Sequence, residues 1–424
     1  MRVLVVGSGG REHALCWALA RSASVERVVC APGNAGIAAD AEVRALTRAE
    51  PEAIVEVARA EGADLVVVGP EAPLVAGAVD ALADAGFAAF GPTAAAARIE
   101  GSKAFAKELM AAAGVPTAAY WTGTDAAQAK AALAGFAPPF VVKADGLAAG
   151  KGVRICATRV EAEAAIDEAM VEQVFGAAGA RVVLEEYLEG PEVSLLGLCD
   201  GQRLVPLVPA QDYKRALDGD AGPNTGGMGA YTPVPAVGAD LVARIAADVM
   251  TPVVAELGRR ETPYVGVLYA GLVLTADGPR VLEFNARFGD PEAQAVLPRL
   301  RSDLGVLLAA AARGSLPDAG PLDWDPRACV TVVLASGGYP GPYATGKEIR
   351  GLADAAAVDD AVVFHAGTRT AGQRTVTAGG RVLAVSGLGD DLAAARACAY
   401  RAADAISFEG RQRRGDIAAR PCGN

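Results

Sequence analysis

The stretch Pro139-Phe-Val-Val-Lys-Ala-Asp-Gly-Leu-Ala-Ala-Gly-Lys-Gly-Val-Arg-Ile-Cys156 places a loop of small residues between two apolar runs. The runs predict two strands, because short apolar segments bounded by glycine are typical of buried strands. The loop is not a Walker A phosphate loop, which has a hydroxyl residue after its lysine and leads into a helix. Here Gly152 follows Lys151, and a second strand comes next. We predict a hairpin whose loop closes over a triphosphate as a flap, with Lys143 ending a buried strand. The alternative is an ordinary hairpin with solvated lysines.

Further along, Val281-Leu-Glu-Phe-Asn-Ala-Arg-Phe-Gly-Asp-Pro-Glu292 alternates polar and apolar side chains. Since successive side chains of a strand point to opposite faces, Glu283, Asn285 and Arg287 share one face. A carboxylate and an amide oxygen at this spacing suit Mg²⁺ or Mn²⁺, which keep water and phosphate oxygens among their ligands. Arg287 lies one position further along, where its guanidinium can bind a carboxylate or phosphate through paired hydrogen bonds. The alternative is an edge strand with a solvated polar face.

The first hundred residues alternate short apolar runs with helical patterns, which predicts βαβ units and a parallel, doubly wound sheet. In such sheets ligands bind beyond the carboxyl ends of the strands. The loops at those ends are residues 7–11, 32–36 and 69–73. The predicted strands are 3–6, 25–31, 64–68 and 87–90, and the predicted helices are 11–22, 50–61 and 74–85.

The first loop lacks the dinucleotide-binding pattern, because Glu12 stands where that fingerprint has glycine. The second predicted strand also ends without an acidic residue for a ribose hydroxyl. Free N–H groups at the start of the following helix would suit one phosphate. A tight turn that binds nothing is the alternative, and the sequence does not decide between the two.

The remainder of the chain contains polar loops between scaffold elements. Residues 181–188 predict a strand that would offer backbone groups to an adenine edge and a carboxylate to a ribose; a solvated rim is the alternative. Residues 211–215 and 222–229 form a polar, glycine-rich stretch, and long ordered loops of this kind are usually functional. Other predicted helices are 103–110, 125–133, 239–257 with a kink at Pro252, and 392–406; other predicted strands are 118–121, 329–335, 362–365 and 382–387.

Composition excludes several classes of protein. The chain has 424 residues, of which 52% are hydrophobic, and a formal net charge of −11. It therefore has ample material for packed cores and no basic surface for nucleic acid. It has no apolar run of the ~18 residues that a membrane span needs, and its first apolar run is too short for a signal peptide. No C-x-x-C pair is present, and two histidines cannot form a multi-histidine metal site. We expect a cytoplasmic protein with neither nucleic-acid nor membrane partners.

Eight motifs occur in order along the chain: GSGGREHA (7–14), APGNAG (31–36), GPEAPL (69–74), EGSKAF (100–105), KADGLAAGKGV (143–153), QDYKR (211–215), GPNTGGMGAY (222–231) and EFNARFGDPE (283–292). Together they resemble the phosphoribosylamine–glycine ligase family of the ATP-grasp superfamily. The resemblance implies an α/β fold in three parts: an N-terminal Rossmann-like, doubly wound parallel sheet over 1–100, an ATP-grasp domain over 101–326 with a mobile lid at about 120–188, and a small C-terminal α/β cap domain over 327–424.

The resemblance also implies a reaction. ATP would phosphorylate the carboxylate of glycine, and the amine of 5-phosphoribosylamine would attack the resulting glycyl phosphate. The products would be glycinamide ribonucleotide, ADP and phosphate, in de novo purine synthesis. Catalysis of phosphoryl transfer is mostly positioning and charge neutralisation, which agrees with a chain that offers cations and a metal site but no nucleophile motif.

The resemblance extends to individual residues of the motifs. The resemblance implies Glu283 and Asn285 as metal ligands, and Arg287, Lys143 and Asp212 as catalytic residues. It implies ATP binding by Lys103, Lys143, Gly150, Lys151, Gly152, Glu185, Tyr187, Leu188, Glu192 and Lys214. Substrate binding would fall to Gly9, Gly10, Asn34, Gly36, Asn224, Thr225, Arg287 and Asp290, and His13 and His365 would be structural.

Two other functions stay open on this evidence. Another ATP-grasp enzyme, such as a carboxylase subunit that handles bicarbonate and a purine ribonucleotide, would share the lysines and the pair Glu283 and Asn285 but lack the GPNTGGMGAY loop. A non-catalytic nucleotide sensor on the same fold would bind ATP without turnover. The expected partners are small molecules (ATP, glycine and 5-phosphoribosylamine). The sequence does not set the oligomeric state, for which a monomer is the default expectation.

Overall fold

The computed structural model describes residues 1–46, 48, 50–147, 152–316 and 322–422. Its first part is a five-stranded parallel sheet in the order β3-β2-β1-β4-β5, with helices packed on both faces as predicted for a doubly wound sheet. The elements are β1 (Arg2–Gly7), α1 (Gly10–Ala20), β2 (Arg27–Pro32), β3 (Glu42–Val43), α2 (Pro51–Glu61), β4 (Leu65–Val68), α3 (Glu71–Val75), α4 (Ala78–Asp84) and β5 (Ala89–Phe90).

The single helix predicted over residues 74–85 is wrong. The chain forms α3 and α4 instead, and it breaks at Gly77, whose φ of 92° lies in the left-handed region. Glycine adopts that conformation without the steric cost that a side chain would bring. Because two helical segments of similar composition flank this one residue, the apolar periodicity runs through the break and conceals it.

The next part is a separate antiparallel sheet with its own apolar core. The predicted hairpin is confirmed, since β7 pairs with β8 and Lys143 lies opposite Val153. The elements are α5 (Ala94–Gly101), α6 (Lys103–Ala113), β6 (Tyr120–Gly123), α7 (Ala126–Ala132), β7 (Phe140–Ala144), β8 (Val153–Cys156), α8 (Arg159–Met170) and β9 (Val182–Glu186), and the strand order is β6-β9-β7-β8. We call this four-stranded sheet the lid sheet.

A second antiparallel sheet, in the order β11-β10-β16-β17, faces the lid sheet. The helix predicted over 239–257 forms as α9 and α10, which are joined through a π turn at Ala246–Met250. The irregular turn comes just before Pro252, which has no N–H to continue the helical ladder. The elements are β10 (Glu192–Asp200), β11 (Leu204–Pro206), β12 (Gln211–Asp212), β13 (Arg215–Leu217), β14 (Ala221–Asn224), β15 (Gly229–Thr232), α9 (Ala239–Ile245), α10 (Thr251–Arg259), β16 (Val265–Thr275), β17 (Gly278–Asn285), α11 (Glu292–Val296) and α12 (Leu304–Ala312).

The C-terminal residues build a sheet together with strands from the middle of the chain. Its order is β12-β15-β18-β22-β19, so two strands of the glycine-rich stretch are part of it. One apolar core joins both regions, from Leu268 of β16 to Val330 of β18 and Ile406. The C-terminal elements are β18 (Ala328–Ala335), α13 (Leu352–Ala356), β19 (Ala361–His365), β20 (Thr368–Ala371), β21 (Arg374–Thr377), β22 (Arg381–Gly389) and α14 (Leu392–Ala405). This part is therefore continuous with the centre of the molecule rather than a detached cap.

Within the described ranges, no helix has the length and apolar character needed to cross a bilayer. All seven cysteines are free thiols, and six of them are buried.

Candidate active site

Strand β17 carries Glu283 and Asn285 at its carboxyl end. Phe284 between them packs into the core, so the predicted alternation holds for this pair. The strand ends at Asn285, and the next N–H, that of Ala286, donates to the carboxylate of Glu100 at 2.7 Å. The prediction that Arg287 continues the strand is thus wrong. The backbone N–H of Ala286 donates to the side chain of Glu100 and not to a neighbouring strand. Arg287 still reaches the same face, where its Nη2 donates to Asn285 Oδ1 at 3.1 Å.

Four cations act on Glu283. Burial by itself would raise the pKa of its carboxyl, but the charges of Lys214, Lys143, Lys103 and Arg287 hold that pKa below its usual value. The three lysines come from distant parts of the sequence, and the fold gathers them at one carboxylate. An excess of positive charge in a cleft attracts a highly charged anion. The pair Glu283 and Asn285 adds the oxygen ligands that a hard divalent cation prefers.

Lys143 links the lid sheet to β17. Its Nζ lies 2.9 Å from Glu185 Oε1 and donates to the carbonyl oxygen of Leu282 at 3.2 Å. Leu282 is the extra residue of a β-bulge, since its neighbours Val281 and Glu283 pair with adjacent residues of β16. Bulges redirect backbone groups next to active sites. Here the bulge brings β7 of the lid sheet against β17, the strand that carries Glu283 and Asn285.

Lys103 begins helix α6, and Asp145 fixes it against the lid hairpin. The carboxylate of Asp145 accepts from the backbone N–H of Ala104 at 2.7 Å and from the hydroxyl of Ser102 at 3.1 Å. The Nζ of Lys103 donates to the carbonyl oxygen of Gly146 at 3.2 Å. Asp145 lies inside the KADG motif, but the sequence reasoning gave it no role. Asp145 acts at the N-terminus of a helix that begins 42 residues earlier, so no local pattern in the sequence indicates this role.

Two carboxylates hold Arg287. Its Nη2 lies 2.9 Å from Glu100 Oε1, and its Nε lies 3.4 Å from Glu71 Oε2. Glu71 also faces Arg11 Nη1 at 3.9 Å, and both guanidinium groups keep the pKa of Glu71 below its usual value against the effect of burial. Glu71 belongs to the GPEAPL motif, for which the sequence suggested no chemistry. The arginine is thereby preoriented with its charge facing the cleft beside Asn285.

The residues expected around adenine and ribose lie at the end of β9 and the start of β10. The carboxylate of Glu185 is 2% exposed and pairs with Lys143, so it is taken up inside the protein. Tyr187 and Leu188 directly follow the end of the strand. Glu192 pairs with Lys214 at 2.7 Å. Gly150 and Lys151 lie outside the described residues, whereas the carbonyl of Gly152 accepts from the N–H of Ala144 at 2.8 Å.

The N-terminal turn is filled by a side chain of its own. Glu12 Oε2 accepts from the N–H of Gly9 at 2.6 Å. A Cβ atom at Gly69 would lie 2.3 Å from Glu12 Oε1, and one at Gly10 would lie 2.5 Å from Gln294 Nε2. Close packing thus disfavours a side chain at Gly69, where the whole Glu12 carboxyl arm is near, whereas at Gly10 only the end of Gln294 would have to move. The N–H of Gly9, one of the groups that a phosphate could use, is therefore bonded within the turn itself.

Both polar atoms of the Asn34 side chain form hydrogen bonds within the protein. Its Nδ2 donates to the carbonyl oxygens of Ser8 and His365, each at 2.8 Å, and its Oδ1 accepts from the N–H groups of Gly36 and Ile37. Its side chain thus fixes the conformation of the loop. A substrate would contact the backbone of this loop and not the Asn34 side chain. At Gly36 a Cβ atom would lie 2.2 Å from the ring of His365, so C-terminal residues form the wall of this loop.

The two histidines of the chain lie together between the N-terminal and C-terminal parts. His13 Nδ1 accepts from the N–H of His365 at 2.7 Å, and His13 Nε2 lies 3.2 Å from Asp40 Oδ2. The Nδ1 of His365 lies 3.0 Å from Thr368 Oγ1. Neither ring is among the groups gathered at Glu283. Their contacts are those of structural residues.

The stability of the protein should decrease in mild acid because of His365. Burial, together with the neighbouring His13, lowers the pKa of His365 to about 4, whereas a histidine in an unfolded chain titrates near ~6.5. The unfolded state therefore binds more protons between these values, and stability falls as the pH drops below the unfolded pKa. We expect the His365 contribution to cost ~2 kcal/mol between pH 7 and pH 5.

Urea unfolding at pH 7, 6 and 5 would measure this, with His365→Asn as the comparison. The variant keeps a polar group near Thr368 and has no proton to gain. Its unfolding free energy should fall less steeply with acid than that of the parent. Equal slopes for the two proteins would contradict the prediction.

The glycine-rich stretch is held from the C-terminal side. The hydroxyl of Thr225 donates to the carbonyl of Lys214 at 2.8 Å, so it acts within the loop. Arg381 donates to the carbonyl oxygens of Gly226 at 2.5 Å and Asp290 at 2.7 Å. The charge of Arg381 also lowers the pKa of the Asp290 carboxyl against the effect of burial. Arg381 thereby joins the two loops that hold the proposed substrate contacts, and no local pattern in the sequence marks it.

Asp212 and Asn224 lie on the strands at the edges of this stretch. Burial raises the pKa of the Asp212 carboxyl to about 8, although the charge of Lys214 opposes the shift. Asn224 pairs with Arg215 in the β13–β14 hairpin. That hairpin is pinned by Arg414, which is 1% exposed and donates to Asp220 at 2.7 Å. The C-terminal tail, for which the sequence suggested no role, thus supports the loop.

Fold and site together define the class of protein. Two antiparallel sheets meet where Lys143 contacts β17. Three lysines converge there on Glu283, and Arg287 binds the adjacent Asn285. Among the described residues, no three His, Cys, Asp or Glu side chains converge as a ready-made metal cage. A metal there would complete its coordination with water and phosphate oxygens. These are the features of an ATP-grasp enzyme.

Comparison with known proteins identifies the family. The chain matches the Phosphoribosylglycinamide synthetase N domain over residues 1–100, its ATP-grasp (A) domain over 101–293 and its C domain over 329–420. The chain belongs to this family. It catalyses the ATP-dependent ligation of glycine to phosphoribosylamine in purine biosynthesis, an ADP-forming carbon–nitrogen ligation.

Individual relatives agree over the whole chain. The phosphoribosylamine–glycine ligase of Streptomyces coelicolor is 54% identical and aligns over 100% of both chains. That of Rhodopirellula baltica is 50% identical over 98% of this chain and 96% of its own. The crystal structure of the Thermotoga maritima phosphoribosylamine–glycine ligase is 33% identical, covers 98% of this chain and 100% of its own, and superposes with a TM-score of 0.85. The two alternative functions, a different ATP-grasp ligase and a sensor, are therefore excluded.

Proposed function

We propose that the ligation runs through glycyl phosphate, which forms at the cations gathered around Glu283. The single observation that supports this most is that Lys103, Lys143, Lys214 and Arg287 all act on one half-buried carboxylate. A carboxylate is a poor electrophile until one of its oxygens becomes part of a leaving group. Transfer of the γ-phosphoryl group to that oxygen needs positioned positive charge more than a protein nucleophile.

In the first step, an oxygen of the glycine carboxylate attacks the γ-phosphorus, and the bond to the ADP oxygen breaks. Arg287 binds the carboxylate and neutralises it, since Asn285, Glu100 and Glu71 already fix its guanidinium. Lys143 and Lys103 hold the phosphates from the lid side, with Gly150, Lys151 and Gly152 as the flap. Glu283 and Asn285 would hold a divalent cation. When bound, that cation neutralises charge on the phosphate oxygens.

In the second step, the amine of phosphoribosylamine attacks the carbonyl carbon of glycyl phosphate, and phosphate leaves with the oxygen that it received. Asp212 accepts the proton that the amine loses. A carboxyl whose pKa is raised to about 8 suits that task, because an effective base has a pKa near the working pH. The phosphoribosyl end lies along Gly9, Gly10 and Gly36, with Asn34 shaping the loop. Asn224, Thr225 and Asp290 complete the substrate side.

The remaining proposals concern ATP and its surroundings. The adenine edge meets the backbone at Tyr187 and Leu188, and Glu192 with Lys214 meets the ribose side. The family uses ATP and a divalent metal, and we propose Mg²⁺ or Mn²⁺ in this chain. We further propose domain limits of 1–100, 101–326 with the lid at 120–188, and 327–424, which the extents of the family domains support. We also propose that the enzyme acts in the cytoplasm.

Isotope transfer tests the intermediate. With glycine labelled by ¹⁸O in its carboxylate, a glycyl phosphate pathway transfers one labelled oxygen to each molecule of inorganic phosphate. We expect mass spectrometry of the released phosphate to show this stoichiometric transfer, and only when glycine, ATP and phosphoribosylamine are all present. Phosphate without label would show that the carboxylate is never phosphorylated and would overturn the proposal.

A further inference from the structure

Lys107 is a buried lysine that none of the steps above uses. It lies four residues after Lys103 on α6, and therefore on the same face of the helix. Its side chain is 2% exposed, and its Nζ donates to Thr117 Oγ1 at 2.7 Å and lies 3.3 Å from Glu185 Oε2. Lysines are seldom fully buried unless they are paired. The partners of Lys107 therefore indicate what it does.

The partner Glu185 is shared. Lys143 Nζ lies 2.9 Å from Glu185 Oε1 and 3.0 Å from Oε2, so one carboxylate stands between two ammonium groups. This buried set carries a net positive charge if all three groups are ionised. A carboxylate that is divided between two lysines neutralises neither of them completely.

The same network reaches the strand that carries Glu283. Thr117, which accepts from Lys107, donates to the carbonyl oxygen of Val281 at 2.6 Å. Lys143 donates to the next carbonyl, that of Leu282. The three ionic groups thus join α6, the lid strands β7 and β9, and β17 at the junction of the two sheets. A substitution of Lys107 would therefore affect groups on the lid sheet and on β17.

We propose that Lys107 is a positioning residue for phosphoryl transfer, which holds Glu185 so that the ammonium of Lys143 stays at the cleft with its charge available to the triphosphate. This inference rests on the proposed function, because it assumes that Lys143 contacts phosphate. Without Lys107, Glu185 would have Lys143 as its only close cation. The pair would then neutralise itself, and the triphosphate would lose a counter-charge.

Titration of Lys107 gives this role a signature. Burial lowers the pKa of Lys107 to about 8, Glu185 opposes that shift, and the charge of Lys143 adds to it. Above that pH the ammonium loses its proton, and the network should behave as if Lys107 were absent. Activity that depends on this network should therefore fall on the alkaline side as the pH rises through about 8.

Other charged groups on the packed elements are engaged elsewhere. Glu186 of β9 acts on Lys107 more weakly than Glu185 and pairs with Arg280 of β17. The ring of Tyr120 on β6 lies 5.5 Å from Lys107 Nζ. On α5 and α10, Arg98 and Arg260 stack on Phe105, Glu100 pairs with Arg287, and Glu256 pairs with Arg259 and Arg260.

The test compares Lys107→Met, which removes the charge, with Lys107→Arg, which keeps it at every accessible pH. We expect Lys107→Met to lower kcat/KM for ATP by at least ~10-fold, the usual size of an effect exerted through a neighbouring ligand. Lys107→Arg should recover most of that loss. The alkaline limb near pH 8 should disappear in both variants. Lys130→Met is the matched control, because Lys130 pairs with Asp167 at the lid surface, far from this network.

Unchanged ATP kinetics and an unchanged pH profile in a folded Lys107→Met protein would overturn the inference. If Lys107→Met does not fold, the pH profile of Lys107→Arg tests the inference instead. An alkaline limb at the same pH in the parent and in Lys107→Arg would overturn the inference. Lys143→Met separates this inference from the proposed function. Full activity in Lys143→Met would refute the phosphate role of Lys143 itself, whereas loss there with normal kinetics in Lys107→Met refutes only the role of Lys107.

Discussion

Replacing Glu283 with glutamine should lower kcat by at least ~100-fold, because charge stabilisation by a bound metal ion is worth several kcal/mol in the transition state. Glutamine has nearly the same shape and cannot supply the negative charge that a divalent cation needs. The substitution also leaves Lys214, Lys143, Lys103 and Arg287 without the carboxylate on which they act. The measurement is steady-state phosphate release with all three substrates at saturation.

Glu256→Gln is the matched control for this experiment. Replacing Glu256 with glutamine is an equally conservative change. Glu256, however, pairs with Arg259 and Arg260 at the end of helix α10, away from Glu283. Its turnover should stay near that of the parent. Because the lost charge serves a metal, raising the metal concentration should restore part of the activity of Glu283→Gln. Turnover of Glu283→Gln within twofold of the parent would refute the assignment of Glu283 as a metal ligand.

Arg287→Lys should lower kcat/KM for glycine by about 100-fold, although it keeps the positive charge. The guanidinium is planar and holds two oxygens in a fixed fork, which an ammonium group cannot reproduce. An ammonium group has three donors, so contacts with Asn285, Glu100 and Glu71 would leave none for the carboxylate of glycine. The KM for ATP should change much less, because the lysines that face the phosphates are untouched.

Arg280→Lys serves as the comparison, since Arg280 lies on β17, the strand that precedes Arg287, and pairs with the half-exposed Glu186 far from Asn285 along that strand. We expect normal glycine kinetics from it. If Arg287→Lys raised the KM for ATP and left the kinetics for glycine unchanged, the arginine would belong to the nucleotide and not to the carboxylate of glycine.

Much of the fold follows from patterns that are local in the sequence. The hairpin around Lys143 was predictable because two apolar runs and a loop of small residues are adjacent in the chain. The alternation of Glu283, Phe284 and Asn285 was predictable for the same reason, since a strand turns each successive side chain to the other face. The parallel N-terminal sheet follows from the repeated change between strand and helix patterns.

The errors occurred where local patterns compete with distant partners. Arg287 was expected to continue a strand, but Glu100, nearly two hundred residues earlier in the chain, takes the backbone N–H of Ala286. Glu185 stays a proposed nucleotide residue, but the sequence did not indicate that two lysines pair with its carboxylate. In both cases the residue type was informative, whereas its partner was decided by chain segments that the pattern does not contain.

The sequence by itself determined the kinds of group that the enzyme uses: a Glu–Asn pair at strand spacing, a lysine at the end of a buried strand, and glycines where loops must approach closely. Only the tertiary structure decided how those groups are held. Arg381 and Arg414 reach loops 155 and 194 residues away in the chain, and Lys107 acts through a carboxylate of the lid sheet. The physical reason is that ionic and hydrogen-bonded partners are selected by distance in space, and a linear pattern records only neighbours along the chain.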